Sequence, residues 1–149
     1  MNAMLRKRLA PRLLACLLVP IPAQVSAAGN PRQDYLLHCA GCHQADGTGS
    51  PEHGIPNMKG VVGRFLHLPE GRAFLVKVPG TSQAALDDAR IARMLNWMLV
   101  EFSRHEIPPG FAPYTTAEVS SYRSAPLDDV SAQRKAIAVR LRQMGHPVD

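Results

Sequence analysis

Five consecutive residues, Cys39-Ala40-Gly41-Cys42-His43, carry the clearest chemistry in the chain. Two cysteines at i and i+3 share one helical turn, so each sulfur can form a thioether with one vinyl group of a haem. The histidine beside them then supplies an imidazole nitrogen to the iron as an axial ligand. The pattern predicts one covalently attached haem c, held by Cys39 and Cys42, with His43 as proximal iron ligand. Other chemistries fit less well. Zinc would need a second ligand pair, and the chain has no distant C-x-x-C or H-x-H. A redox dithiol would follow a βαβ pattern, and none precedes Cys39. No phosphate loop, paired carboxylates or Ser/His/Asp set stands out. The expected role is therefore redox and not enzymatic.

The first 28 residues read as an address. Arg6, Lys7, Arg8 and Arg12 come with no acidic residue, and an apolar run from Leu13 to Pro22 follows. That run is too short to span a bilayer. Val25-Ser26-Ala27-Ala28 supplies small residues for cleavage after Ala27 or Ala28, completing a secretory signal pattern. Leu13-Leu14-Ala15-Cys16 is only a faint lipoprotein box, since Arg12 adjoins it and the apolar run continues past it. Removing the signal leaves 13 basic and 12 acidic residues, where the whole chain has 17 and 12. The basic character thus belongs to the signal, and neither nucleic acid nor an anionic membrane is an expected partner. Loss of Cys16 leaves two cysteines, both in the haem motif, so no disulfide framework is predicted. The expected location is the periplasm.

Helices must position the motif. Asn30 and Pro31 suit the cap and first position of a helix that runs to Cys39. Tyr35, His38, Cys39 and Cys42 recur at helical spacing and mark its haem-bearing face, with Leu36 and Leu37 left to pack on another helix. Residues 44–53 read as a glycine-bearing loop. Phe65–Val78 is ambiguous between helix and strand. Leu86–Ser103 is the strongest helix, with Asp87 and Asp88 at its start and a stripe of Ile91, Met94, Leu95, Met98, Leu99 and Phe102. Ile107–Pro113 reads as a stiff linker, followed by helices from Thr115 or Thr116 to Arg123 and from Asp128 to Met144. The domain reading is a signal peptide (1–28), a haem domain (29–106) and a helical C-terminal extension (107–149).

After Cys39–His43 comes Gly54-Ile55-Pro56-Asn57-Met58-Lys59-Gly60-Val61-Val62-Gly63-Arg64. This resembles the G-P-N-L-x-G-x-x-G-R-like stretch of class I cytochromes c. Asn96-Trp97-Met98-Leu99 resembles their C-terminal helix. The resemblance implies an all-α, class I cytochrome c-like fold around one haem, here with a C-terminal extension. It implies that the last core helix crosses the first, with Leu36 or Leu37 against Leu95 and Leu99. It also implies that the Pro56 carbonyl receives the second N–H of His43 and fixes the ring.

The family places a methionine shortly before that last helix, and this chain has none from Lys59 to Arg93. Met58 is the first candidate for the distal ligand and His67 the alternative; the third possibility is an open position. The expected function is periplasmic one-electron transfer between a dehydrogenase and an oxidase or another cytochrome. The alternative is a haem with an open distal site for peroxide, nitric oxide or carbon monoxide.

Overall fold

The computed structural model describes residues 29–125 and 127–148. The predicted export signal and Cys16 lie outside the described residues. Seven helices follow one another: α1 (Pro31–His38), α2 (Ala40–His43), α3 (Pro69–Lys77), α4 (Pro79–Ser82), α5 (Asp88–Ser103), α6 (Thr116–Arg123) and α7 (Val130–Gln143). Short 3-10 turns at Pro51–His53, Val62–His67 and Arg104–Glu106 join them. Among the described residues there is no strand, only an isolated bridge between Ser50 and Ile55. The all-α expectation therefore holds.

Local chemistry accounts for the helix ends. The Asn30 side chain accepts from the backbone N–H groups of Arg32 and Gln33, with Pro31 at the first helical position. Asp87, Thr115 and Asp129 cap α5, α6 and α7 in the same way. The ambiguous Phe65–Val78 stretch resolves into a turn followed by α3, which opens on Pro69.

α1 packs across α5. Of the two leucines expected there, Leu36 packs partly buried against the core cluster and Leu37 does not take part. Leu37 is 77% exposed, and Tyr35, wholly buried, takes the central place. Its ring sits 5.6 Å from Trp97 and 5.0 Å from Phe102, edge-on to the latter. An aromatic trio buries more area than leucines at this crossing and adds favourable edge contacts. The other buried member of α1 is Asp34, paired with Arg90 of α5. Ile91, Leu95 and Leu99 complete the α5 core, each worth roughly 1.5–3 kcal/mol of burial.

Residues beyond 106 lie on this core. Val119, Ile137, Leu141 and Val148 are essentially inaccessible and belong to the same apolar cluster. Tyr114 is anchored at both ends: Asn96 pairs with its backbone, and its hydroxyl donates to the Arg72 carbonyl at 2.7 Å. Arg72 stacks on the Tyr114 ring and binds Glu118 through two hydrogen bonds.

Among the arginine–carboxylate pairs that tie distant segments together are Arg64–Glu106, Arg72–Glu118 and Arg123–Asp88. In each, hydrogen bonds from the arginine hold the carboxyl below its usual range. A carboxyl depressed by folding binds fewer protons in the folded chain than in the unfolded one. The stability it gives is complete above the ordinary carboxylate pKa and is lost as pH falls through the lowered folded value. Melting of the purified protein is therefore expected to fall steeply below about pH 4. Glu118→Gln is expected to shallow that acid slope. The pairs are partly exposed, so solvent screens each contribution.

Candidate haem-attachment site

The site begins where α1 ends. The Cys39 N–H donates to the Tyr35 carbonyl, and the Cys39 carbonyl accepts from Cys42 and His43. One backbone oxygen thus fixes all three chemical residues in a single turn, as the spacing predicts. Cys39 is partly buried and Cys42 exposed; both are free thiols. Burial, with the nearby Cys42, pushes the Cys39 thiol up to about 11. A thiol kept neutral by burial is a poor zinc ligand. No group of three or more metal-binding side chains occurs among the described residues.

His43 is half-buried. Its pKa is lowered by that burial, which favours the neutral imidazole a metal needs. The Pro56 carbonyl faces the ring and opposes this effect. The Nδ1 atom is fully buried and still lacks a hydrogen bond of ordinary geometry. A small closure of the loop onto Nδ1 would complete that bond and leave the other ring nitrogen for iron. The orphaned nitrogen, the neutral ring and two adjacent free thiols together fit a covalently attached haem.

The loop after His43 is built to return. Gln44 takes φ 62° and ψ 162°, a backbone region otherwise almost confined to glycine. It costs roughly 1–3 kcal/mol. The Tyr35 hydroxyl holds the Gln44 carbonyl at 2.6 Å and offsets that cost. Neither feature was visible in sequence; only the placement of Tyr35 reveals why Gln44 can turn. The Gly49 N–H then donates to the His43 carbonyl, and Ser50 and Ile55 exchange backbone bonds at 3.0 Å. Gly60 donates to the Phe102 carbonyl and Gly63 to the Ser103 hydroxyl, tying the loop to the end of α5.

Met58 and His67, the two candidate distal ligands, are each tied to other residues. The Met58 N–H donates to the Gly47 carbonyl at 2.8 Å, and its carbonyl accepts from Val61 and Val62. It therefore sits in the same loop as Pro56, whose carbonyl faces the His43 ring. His67 turns its Nε2 to the Glu106 carbonyl at 3.2 Å and stacks on His146 at 3.7 Å. The structure brings Cys39, Cys42 and His43 into one turn and sets the Pro56 carbonyl against the His43 ring. His38 is exposed, as a surface residue should be.

The segment between α3 and α5 is short and clamped. Arg123 of α6 donates to the carbonyls of Ser82, Ala84 and Leu86 and to the Asp88 carboxylate. Sequence reading missed this role, because a lone arginine on a short polar helix carries no signal.

Comparison with known proteins adds the following. A family model described as Cytochrome c matches residues 32–119, from α1 through part of α6. One cytochrome c-552 of Thermus thermophilus is 31% identical over 148 aligned residues, covering 86% of this chain and 97% of that one. A second cytochrome c-552 of Thermus thermophilus is 31% identical over 122 residues, covering 68% of this chain and 92% of that one. No solved structure matches.

Proposed function

This chain belongs to the cytochrome c family, and from that premise we propose that it is an exported carrier of single electrons. The family holds covalent haem c and serves electron transfer with redox partner proteins. When bound, the haem supplies a one-electron iron couple. The chain's own residues do the rest. Cys39 and Cys42 hold the group by thioethers, His43 ligates the iron, and the Pro56 carbonyl orients the imidazole. The observation that carries this reading is the half-buried, neutral His43 with its Nδ1 turned to Pro56, directly beside two free thiols.

Export rests on the pattern of residues 1–28, with the haem domain at 29–106 and the helical extension at 107–149. Among the described residues no helix is long and apolar enough to cross a membrane. The donor is a periplasmic dehydrogenase, and the acceptor an oxidase or another cytochrome. Cell fractionation followed by N-terminal sequencing tests location: haem-bearing protein in the periplasm, beginning at Ala28 or Gly29, is expected. Retention of Met1 on cytoplasmic, haem-free protein would contradict export. Mixing the reduced protein with a second, oxidised c-type cytochrome tests function. Rapid exchange of one electron is expected, and no exchange with any small redox protein would argue against a carrier.

A further inference from the structure

We infer that the Tyr35 hydroxyl is a positioning group for the iron: it holds the loop that brings the Pro56 carbonyl to the His43 ring, and so lowers the reduction potential. This rests on the reading of Cys39–His43 as the haem site. Tyr35 grips both ends of the attachment turn. Its backbone carbonyl accepts from the Cys39 N–H at 2.9 Å, and its hydroxyl donates to the Gln44 carbonyl, just past His43, at 2.6 Å. Packing alone does not call for that hydroxyl. The ring already fills the crossing of α1 and α5 against Trp97 and Phe102, and a phenylalanine ring would do the same. Burial, with Cys39 and Asp46 nearby, pushes the hydroxyl up to about 12, so it stays a donor through the ordinary pH range.

What the hydroxyl holds is strained backbone. Gln44 keeps φ 62° and ψ 162° directly after the proximal histidine, and strain that neighbouring bonds enforce beside a reactive group points to a function. Here the bonds lead to Pro56. The Gln44 carbonyl also accepts from the Gly47 N–H at 3.3 Å. The Gly47 carbonyl in turn accepts from Met58 at 2.8 Å and Lys59 at 3.3 Å, close behind Pro56. Gly47 lies against Phe102, where a Cβ would stand 2.9 Å from the ring, and a Cβ on Gly49 would collide with the Pro56 carbonyl oxygen. The loop is thus bonded and close-packed from the Tyr35 hydroxyl to the oxygen that faces His43. Without the hydroxyl, Gln44 relaxes toward an ordinary φ and that oxygen withdraws. A carbonyl bonded to the Nδ1–H makes the imidazole a stronger donor. A stronger donor favours ferric iron and lowers the potential, so losing the bond raises it.

Haem-loaded wild type, Tyr35→Phe, Gln44→Gly and the double variant test this by redox titration and by NMR of the ferrous protein. Covalent haem is expected in all of them. The wild-type His43 Nδ1–H is expected to be protected from solvent exchange. Tyr35→Phe is expected to expose it and to shift the ferric-to-ferrous ratio at fixed potential about tenfold toward ferrous, which is about 59 mV upward for one electron. Glycine takes the Gln44 conformation without strain. Gln44→Gly is therefore expected to keep the wild-type potential and, in the double variant, to recover most of the shift. A hydroxyl that only supports the fold would lower melting in Tyr35→Phe and leave potential and exchange unmoved. That result, or a shift that Gln44→Gly does not recover, would overturn the inference. So would free exchange of the Nδ1–H in wild type, a reading that depends on no variant. Wild type without covalent haem would overturn the haem reading as well, whereas an unmoved potential in haem-bearing Tyr35→Phe overturns this inference alone.

Discussion

Replacing Cys39 and Cys42 together with alanine is expected to yield protein that carries no haem through denaturing electrophoresis, whereas wild type keeps its stain. Both thioether sulfurs are then gone, and His43 alone offers a coordination bond that denaturant breaks. Either single variant is expected to retain one thioether and remain stained. The double variant should also melt well below wild type, because the apolar contacts to the haem and the His43–iron bond, which only the folded chain makes, are lost with the group. Intact mass spectrometry reads the same result as the presence or absence of the haem mass. Covalent haem on the double variant would contradict the assignment.

Gly49→Ala is expected to damage the site from the loop side. Gly49 has φ 66°, and a Cβ there would stand 2.5 Å from the Pro56 carbonyl oxygen and 2.7 Å from that of Ile55. Neither backbone oxygen belongs to a flexible side chain, so the loop itself must move. Left-handed strain and overpacking together cost on the order of 3 kcal/mol. The oxygen displaced is the one that faces His43, so the loss should reach the iron as well as the melting temperature. The haem-loaded variant is expected to melt lower and to show a shifted reduction potential. A variant matching wild type in both would mean that the Pro56 carbonyl does not hold the ring.

The parts of this architecture legible in the sequence are those set by local chemistry. The haem pentapeptide needs only its own turn. Asn30-Pro31 and Asp87 announce their helices by capping, and the stripe of α5 repeats at helical spacing. The parts that were illegible depend on distant partners. Phe65–Val78 has no decisive period, because α3 is buried partly by α6 and α7, which lie some forty to sixty residues further along the chain. Leu37 looked like a core residue by its type, but the Tyr35–Trp97–Phe102 trio fills the crossing and leaves it in water. Gln44 adopts its glycine-like turn only because the Tyr35 hydroxyl reaches its carbonyl. Likewise, the spacing from His43 to Met58 carries no information about which side of the ring the loop returns to. The loop's path back is set by the Met58 N–H bond to the Gly47 carbonyl.

The central claim is that Cys39–His43 holds a single haem whose iron carries one electron at a time. Spectroelectrochemical titration of the purified, haem-loaded protein tests it most directly. The account predicts one reversible wave that fits a one-electron Nernst curve, with the ferrous and ferric spectra restored on each cycle. Two separate waves, an irreversible change, or a spectrum that does not respond to potential would contradict it.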